Sequence, residues 1–113
     1  MVTVHRGDIV IVEQNPTHGN EQRGDNRPCL VVQNDTGNEF SPTTIIAPFT
    51  TGYDDPYPFE VEIKAEESPL REDSVVDCSQ LRVVDVDSRV QTKIGQLSSA
   101  HMAAVDRAIE RYD

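Results

Sequence analysis

The sequence predicts a mainly β fold: a small, partly open β-barrel whose helices come late in the chain. Three observations predict it. The chain has 113 residues, one domain's worth (1–113) with little left for a second. Five to seven short apolar or alternating runs are separated by turns rich in Gly, Pro and Asn. The clearest stripe at helical spacing falls at the very end.

The elements follow in order. Asp8-Ile-Val-Ile-Val12 is β-branched and apolar, so it reads as a buried strand. Residues 13–27 hold Asn-Pro, His-Gly-Asn and Arg-Gly-Asp-Asn, which interrupt any ladder and make one long polar loop. Loops of that length in a small domain are usually functional or disordered. Residues 28–33 form a second strand with Pro28 at its first position, where proline is tolerated. Asn34 to Asn38 reads as a turn. Residues 43–50 make a third strand, and Pro48 within it requires an edge or a bulge. Residues 59–64 alternate strictly, as a strand with one wet face does. Residues 74–78 and 80–84 are short strands. Asp85 caps a helix running to about Ile94 and stopped by Gly95; Ser98 caps the last helix. Met102, Val105, Ile109 and Tyr112 share one face of that helix, a core or interface stripe.

Composition sets limits on partners. The formal charge is −10, from 10 Lys+Arg against 20 Asp+Glu. Only Lys64 and Lys93 are lysines, and the other basic residues are arginine. Avoidance of lysine beside an excess of short carboxylates predicts a halophile's cytoplasmic protein. The charge at first argues against nucleic acid, because phosphate affinity comes mainly from Lys and Arg. In about 1 M salt, however, the Debye length is roughly 3 Å, and local groups then decide. The acid is also uneven. It is densest from Asp54 to Asp73, a solvated face. No apolar run approaches the roughly 18–20 residues of a membrane span, and the N-terminus lacks the pattern of a signal peptide. Cys29 and Cys78 stand apart and read as buried thiols. His5, His18 and His101 are too scattered for a zinc site, so no metal or cofactor is expected.

Five blocks in order carry a family likeness: Arg6-Gly7-Asp8-Ile9-Val10; Gly19-Asn20-Glu21-Gln22; Arg27-Pro28-Cys29-Leu30-Val31-Val32; Ser41-Pro42-Thr43-Thr44 with Pro48-Phe49-Thr50-Thr51; and Asp73-Ser74-Val75-Val76 leading to Gln80-Leu81-Arg82. Their order and spacing resemble the MazF/PemK (Kid) family of endoribonuclease toxins from type II toxin–antitoxin modules. The resemblance spans nearly the whole chain. It implies a small SH3-like β-barrel of the MazF/PemK/CcdB type with a C-terminal helix, acting as a homodimer. It implies sequence-specific, metal-independent cleavage of single-stranded RNA or mRNA to 2′,3′-cyclic phosphate and 5′-hydroxyl ends, with a cognate antitoxin as inhibitor. By the same resemblance Arg27 and Thr50 are the catalytic pair. Asn20, Glu21, Gln22, Arg23 and Gln80 bind RNA, and His18 or Glu21 is the candidate for proton transfer.

There are departures. The spacing from Glu21-Gln22 to Arg27-Pro28 is one residue longer than usual, and Asn20 stands where some members have histidine. Some members use a basic–x–acidic pair where this chain has Asp77 and Ser79, so the resemblance transfers no role to those two.

The chemistry suits the residues. RNA supplies its own nucleophile, the 2′-hydroxyl. The protein must take that proton, protonate the leaving 5′-oxygen and stabilise charge on phosphorus. Arg27 is a permanent cation with a fork that fits phosphate, better as a clamp than as an acid or base. Thr50 brings a hydroxyl that can donate to a phosphate oxygen. Alternatives are a gyrase-targeting toxin on the same barrel, a non-cleaving binding module, and a degenerate member that keeps only RNA or antitoxin binding.

Overall fold

Among the described residues seven short strands form one sheet of order β4-β5-β3-β2-β1-β7, with β6 joined to β3 off that path. The computed structural model describes residues 2–13 and 26–112, the side chain of Tyr112 excepted. The elements are β1 (Asp8–Glu13), β2 (Asn26–Val31), α1 (Asp35–Phe40), β3 (Thr43–Thr50), β4 (Glu60–Ile63), β5 (Ser74–Asp77), β6 (Arg82–Asp85), α2 (Val86–Arg89), β7 (Val90–Gln96) and α3 (Ser99–Tyr112). A 3₁₀ turn at Ala65–Glu67 follows β4. Every pairing is antiparallel. Among the described residues the sheet is not closed, having β4 and β7 at its ends. The mainly β, barrel-like fold with a C-terminal helix is therefore as expected.

The period of two along the central strands explains why their sequences read as nearly continuous apolar runs: both faces are covered. One face presents Ile9, Leu30, Ala47, Phe49, Ile63 and Val76 to Met102, Val105 and Ala108 of α3. The other packs Val10, Val12, Cys29, Val31 and Ile46 with Val4, Val84 and Val90. Each fully buried aliphatic contributes about 1.5–3 kcal/mol relative to exposure. Cys29 and Cys78 are buried thiols, as the sequence suggests. Among the described residues no helix is long and apolar enough to cross a membrane.

Four expectations need correction. Asn34 to Asn38 is not a simple turn. The Asn34 side chain accepts from the Gly37 N–H at 2.8 Å and caps α1. The helix is then anchored by Asn38, which accepts from Thr44 Oγ1 at 2.6 Å and from Gln33 Nε2 at 3.0 Å. The second strand begins at Asn26 and ends at Val31, so Pro28 is not its first residue. Pro28 faces Ile11 of β1, on a stretch where β2 has not yet met β3, and its missing donor costs no ladder bond on that side. The strand expected at 80–84 begins at Arg82.

The helix expected over 86–94 is a single turn. Asp85 does cap it, accepting from the Ser88 N–H at 2.9 Å, but Val90–Gln96 is the strand β7. The second edge of β1 offers a ladder there, and the β-branched residues Val90, Thr92 and Ile94 recur at strand spacing. Gly95 does not stop a helix. A Cβ at that position would lie 2.4 Å from Pro69 Cγ, so glycine lets the segment after β4 press onto β7. Ser98 caps α3 as expected, its Oγ accepting from the His101 N–H at 3.1 Å.

Candidate active site

The ladder of β3 changes neighbour halfway along, and the candidate site opens at that change. Thr43 to Ile46 pair with β6, whereas Phe49 and Thr50 pair with β5. Between them Pro48 pairs with Cys29 of β2 and, among the described residues, with neither β5 nor β6. A proline without a donor belongs at such a gap, which is the irregularity its sequence position implies.

The register fixes which side chains meet there. Ile46, Pro48 and Thr50 share one face of β3. Arg27 and Thr50 each lie two residues beyond the last β2–β3 pair, Cys29↔Pro48, and on its face of the strands. Arg82 of β6 lies opposite Ile46. One step beyond Val76↔Phe49, Asp77 closes β5 on the same side. These residues and Gln80, in the turn between β5 and β6, line a cleft of about 210 Å³ at the rim of the second apolar cluster.

Each polar group is held differently. Arg27 is exposed, and its Nη2 reaches the Phe49 carbonyl at 3.5 Å, a long contact beside which, among the described residues, the guanidinium's other donors make no hydrogen bond. Thr50, Asp77 and Arg82 are half-buried, and Gln80 is exposed. The Gln80 N–H donates to the Asp77 carbonyl at 3.2 Å, which tightens the turn. Asp77 Oδ1 accepts from the Ser79 N–H at 3.0 Å and from Ser79 Oγ at 2.6 Å. Burial first, then the nearby Asp77 and Asp106 carboxylates, push the Cys78 thiol up to about 11. That thiol points away from nucleophilic chemistry, because thiolate is the reactive form.

The structure thus brings Arg27, Thr50 and Gln80 into one cleft. His18, Asn20, Glu21, Gln22 and Arg23 lie outside the described residues. Arg82 and Asp77 are members the sequence reading assigned no role. Strand period two places Arg82 on the side of Gln80, the signal that could have found it. A second guanidinium in the cleft suits a phosphate, which takes forked donors from more than one direction. A larger cavity, about 660 Å³, lies elsewhere between the segment Val2–His5, α1 and Val86–Asp87. Among the described residues no Lys or Arg lines it, and these residues offer an anion little.

The chain is similar to known proteins over nearly its full length. The family described as PemK-like, MazF-like toxin of type II toxin–antitoxin system matches residues 5–112. "Endoribonuclease MazF" of Staphylococcus epidermidis is 39% identical over 108 residues, covering 95% of this chain and 88% of its own. The MazE-MazF (Form-II) crystal structure from Deinococcus radiodurans superposes with a TM-score of 0.81 at 25% identity, over 99% of this chain and 96% of that one. The Mycobacterium tuberculosis toxin MazF-mt6 superposes at 0.74 with 24% identity, over 92% and 93% of the two chains.

Proposed function

The chain belongs to the PemK-like, MazF-like toxin family of type II toxin–antitoxin systems, and on that premise we propose that it is a metal-independent endoribonuclease toxin. Its substrate is single-stranded RNA, cut at short sequence motifs to 2′,3′-cyclic phosphate and 5′-hydroxyl ends. The observation that carries this reading is the cleft that gathers Arg27, Thr50, Gln80 and Arg82.

The chemistry follows from those groups. Extra negative charge on phosphorus in the transition state falls between two fixed cations, which stabilise it more than they stabilise the ground state. Thr50 donates to a non-bridging oxygen, and Gln80 offers donor and acceptor to a base edge or the backbone. The RNA brings the nucleophile, so no metal-activated water is required.

The partners belong to the same reading. A cognate antitoxin with an acidic segment would compete for the cleft; relatives have been solved as MazE-MazF and as an endoribonuclease "in complex with its cognate antitoxin". We read the assembly as a homodimer in the cytoplasm. Leu81 and Val83, apolar and exposed beside and on β6, support a further protein surface there. The test is cleavage of single-stranded RNA in excess EDTA and high potassium chloride. RNA should be cut and its 2′-O-methyl analogue left intact. Loss of cutting with EDTA, or equal cutting of the analogue, overturns the mechanism.

A further inference from the structure

We propose that Asp77 is the catalytic base of this site, taking the proton from the attacking 2′-hydroxyl. The assignment rests on the endoribonuclease reading above. Among the described residues, Asp77 is the only carboxylate lining the cleft. Its companions there are poor acceptors of a proton. Arg27 and Arg82 present guanidinium donors and no acceptor, and Thr50 and Gln80 carry a neutral hydroxyl and a neutral amide.

The geometry divides the carboxylate into a held oxygen and a working one. Oδ1 takes two bonds from Ser79, one from its N–H at 3.0 Å and one from its hydroxyl at 2.6 Å. That clamp holds the side chain at the end of β5. Among the described residues Oδ2 accepts no hydrogen bond, and Asp77 enters no ion pair. Spending Oδ1 on Ser79 therefore keeps Oδ2 as the acceptor, already oriented before RNA arrives. Two guanidiniums line the same cleft, so a phosphodiester can be held there despite the negative charge on Asp77.

The step balances without a co-reactant. Asp77 Oδ2 removes the 2′-hydroxyl proton as the 2′-oxygen bonds to phosphorus. The bond from phosphorus to the 5′-oxygen breaks, and the leaving oxygen takes a proton from water. Asp77 then releases its proton to solvent. No electrons change hands.

The test is steady-state cleavage of single-stranded RNA in EDTA by the full chain, with binding of a 2′-O-methyl RNA measured alongside. Asp77→Asn keeps an oxygen for Ser79 and so spares the turn. It should lower kcat by about 100-fold or more, with KM and the analogue's Kd staying within about threefold of wild type. Asp77→Glu should recover part of the lost rate, because it restores a carboxylate. A kcat for Asp77→Asn within about fivefold of wild type, or a loss carried by Kd instead of kcat, overturns the assignment alone. A wild-type protein that leaves RNA intact overturns the endoribonuclease reading, and this assignment with it.

Discussion

Salt should weaken RNA binding only shallowly, and one arginine should account for half of the dependence that the cleft itself produces. Each cation that neutralises a phosphate on a single strand releases counterions and steepens log K against log salt by about 0.7. The cleft offers two such cations, Arg27 and Arg82, which sets a slope of about −1.4. Contact by Arg23, as the family resemblance implies, would take it to about −2.1. Between 0.1 and 2 M potassium chloride a slope of −1.4 is a loss of ~70-fold, and Arg82→Gln, at about −0.7, should lose only ~8-fold. Fluorescence anisotropy with a 2′-O-methyl RNA measures this without cleavage. A slope steeper than about −3, or one that Arg82→Gln leaves unchanged, refutes the two-cation cleft. The same experiment tests the salt-adapted reading of the −10 charge, since affinity that collapses above about 0.2 M would count against it.

Two stability predictions accompany it. Gly95→Ala places a Cβ 2.4 Å from Pro69 Cγ, and should cost about 1–3 kcal/mol, read as a lower midpoint in urea; Pro69→Gly in the same chain should restore much of it, and an unaffected Gly95→Ala would show that the contact gives way freely. Tyr53 donates to Glu62 at 2.6 Å, and that bond first, with slight burial, raises its pKa from 10.0 to about 12. A raised pKa means the bond's contribution is whole below pH 10 and is lost as pH climbs through about 12. Absorbance near 295 nm should therefore show one late-ionising tyrosine, missing in Tyr53→Phe; a titration unchanged by that substitution removes the bond from the account.

How much was legible depended on whether the cause was local. The central strands were readable because Ile9 to Val12, Cys29 to Val31 and Ile46 to Phe49 are buried on both faces, and continuous burial writes continuous apolar sequence. Pro48 was readable as an irregularity, and the structure gives its cause in the change of neighbour from β6 to β5. The caps at Asp85 and Ser98 were readable because a short side chain reaching a nearby N–H is a local event. What followed Asp85 was not, because the open edge of β1 converts Val90–Gln96 to strand from a distance. The helix after Asn34 was hidden by Gly37 and is held by Asn38 bonds to Gln33 and Thr44.

The site divides the same way. Arg27 and Thr50 could be named from motif order, and the fold then brings both to the lining of one cleft. Asp77 was visible only as a departure from the family pattern. Its place in the cleft comes from the β5–β6 turn and the Ser79 clamp, contacts that no spacing along the chain announces.

The central claim is that the fixed cation of Arg27 carries phosphate chemistry without a metal. The most direct measurement is the single-turnover cleavage rate of Arg27→Ala beside wild type, on one RNA, in excess EDTA and high potassium chloride, with product ends identified. Wild-type products should end in 2′,3′-cyclic phosphate and 5′-hydroxyl, and the Arg27→Ala rate should be lower by about 10²–10³. An Arg27→Ala protein that cuts at the wild-type rate, or wild-type products bearing 5′-phosphate, would contradict it.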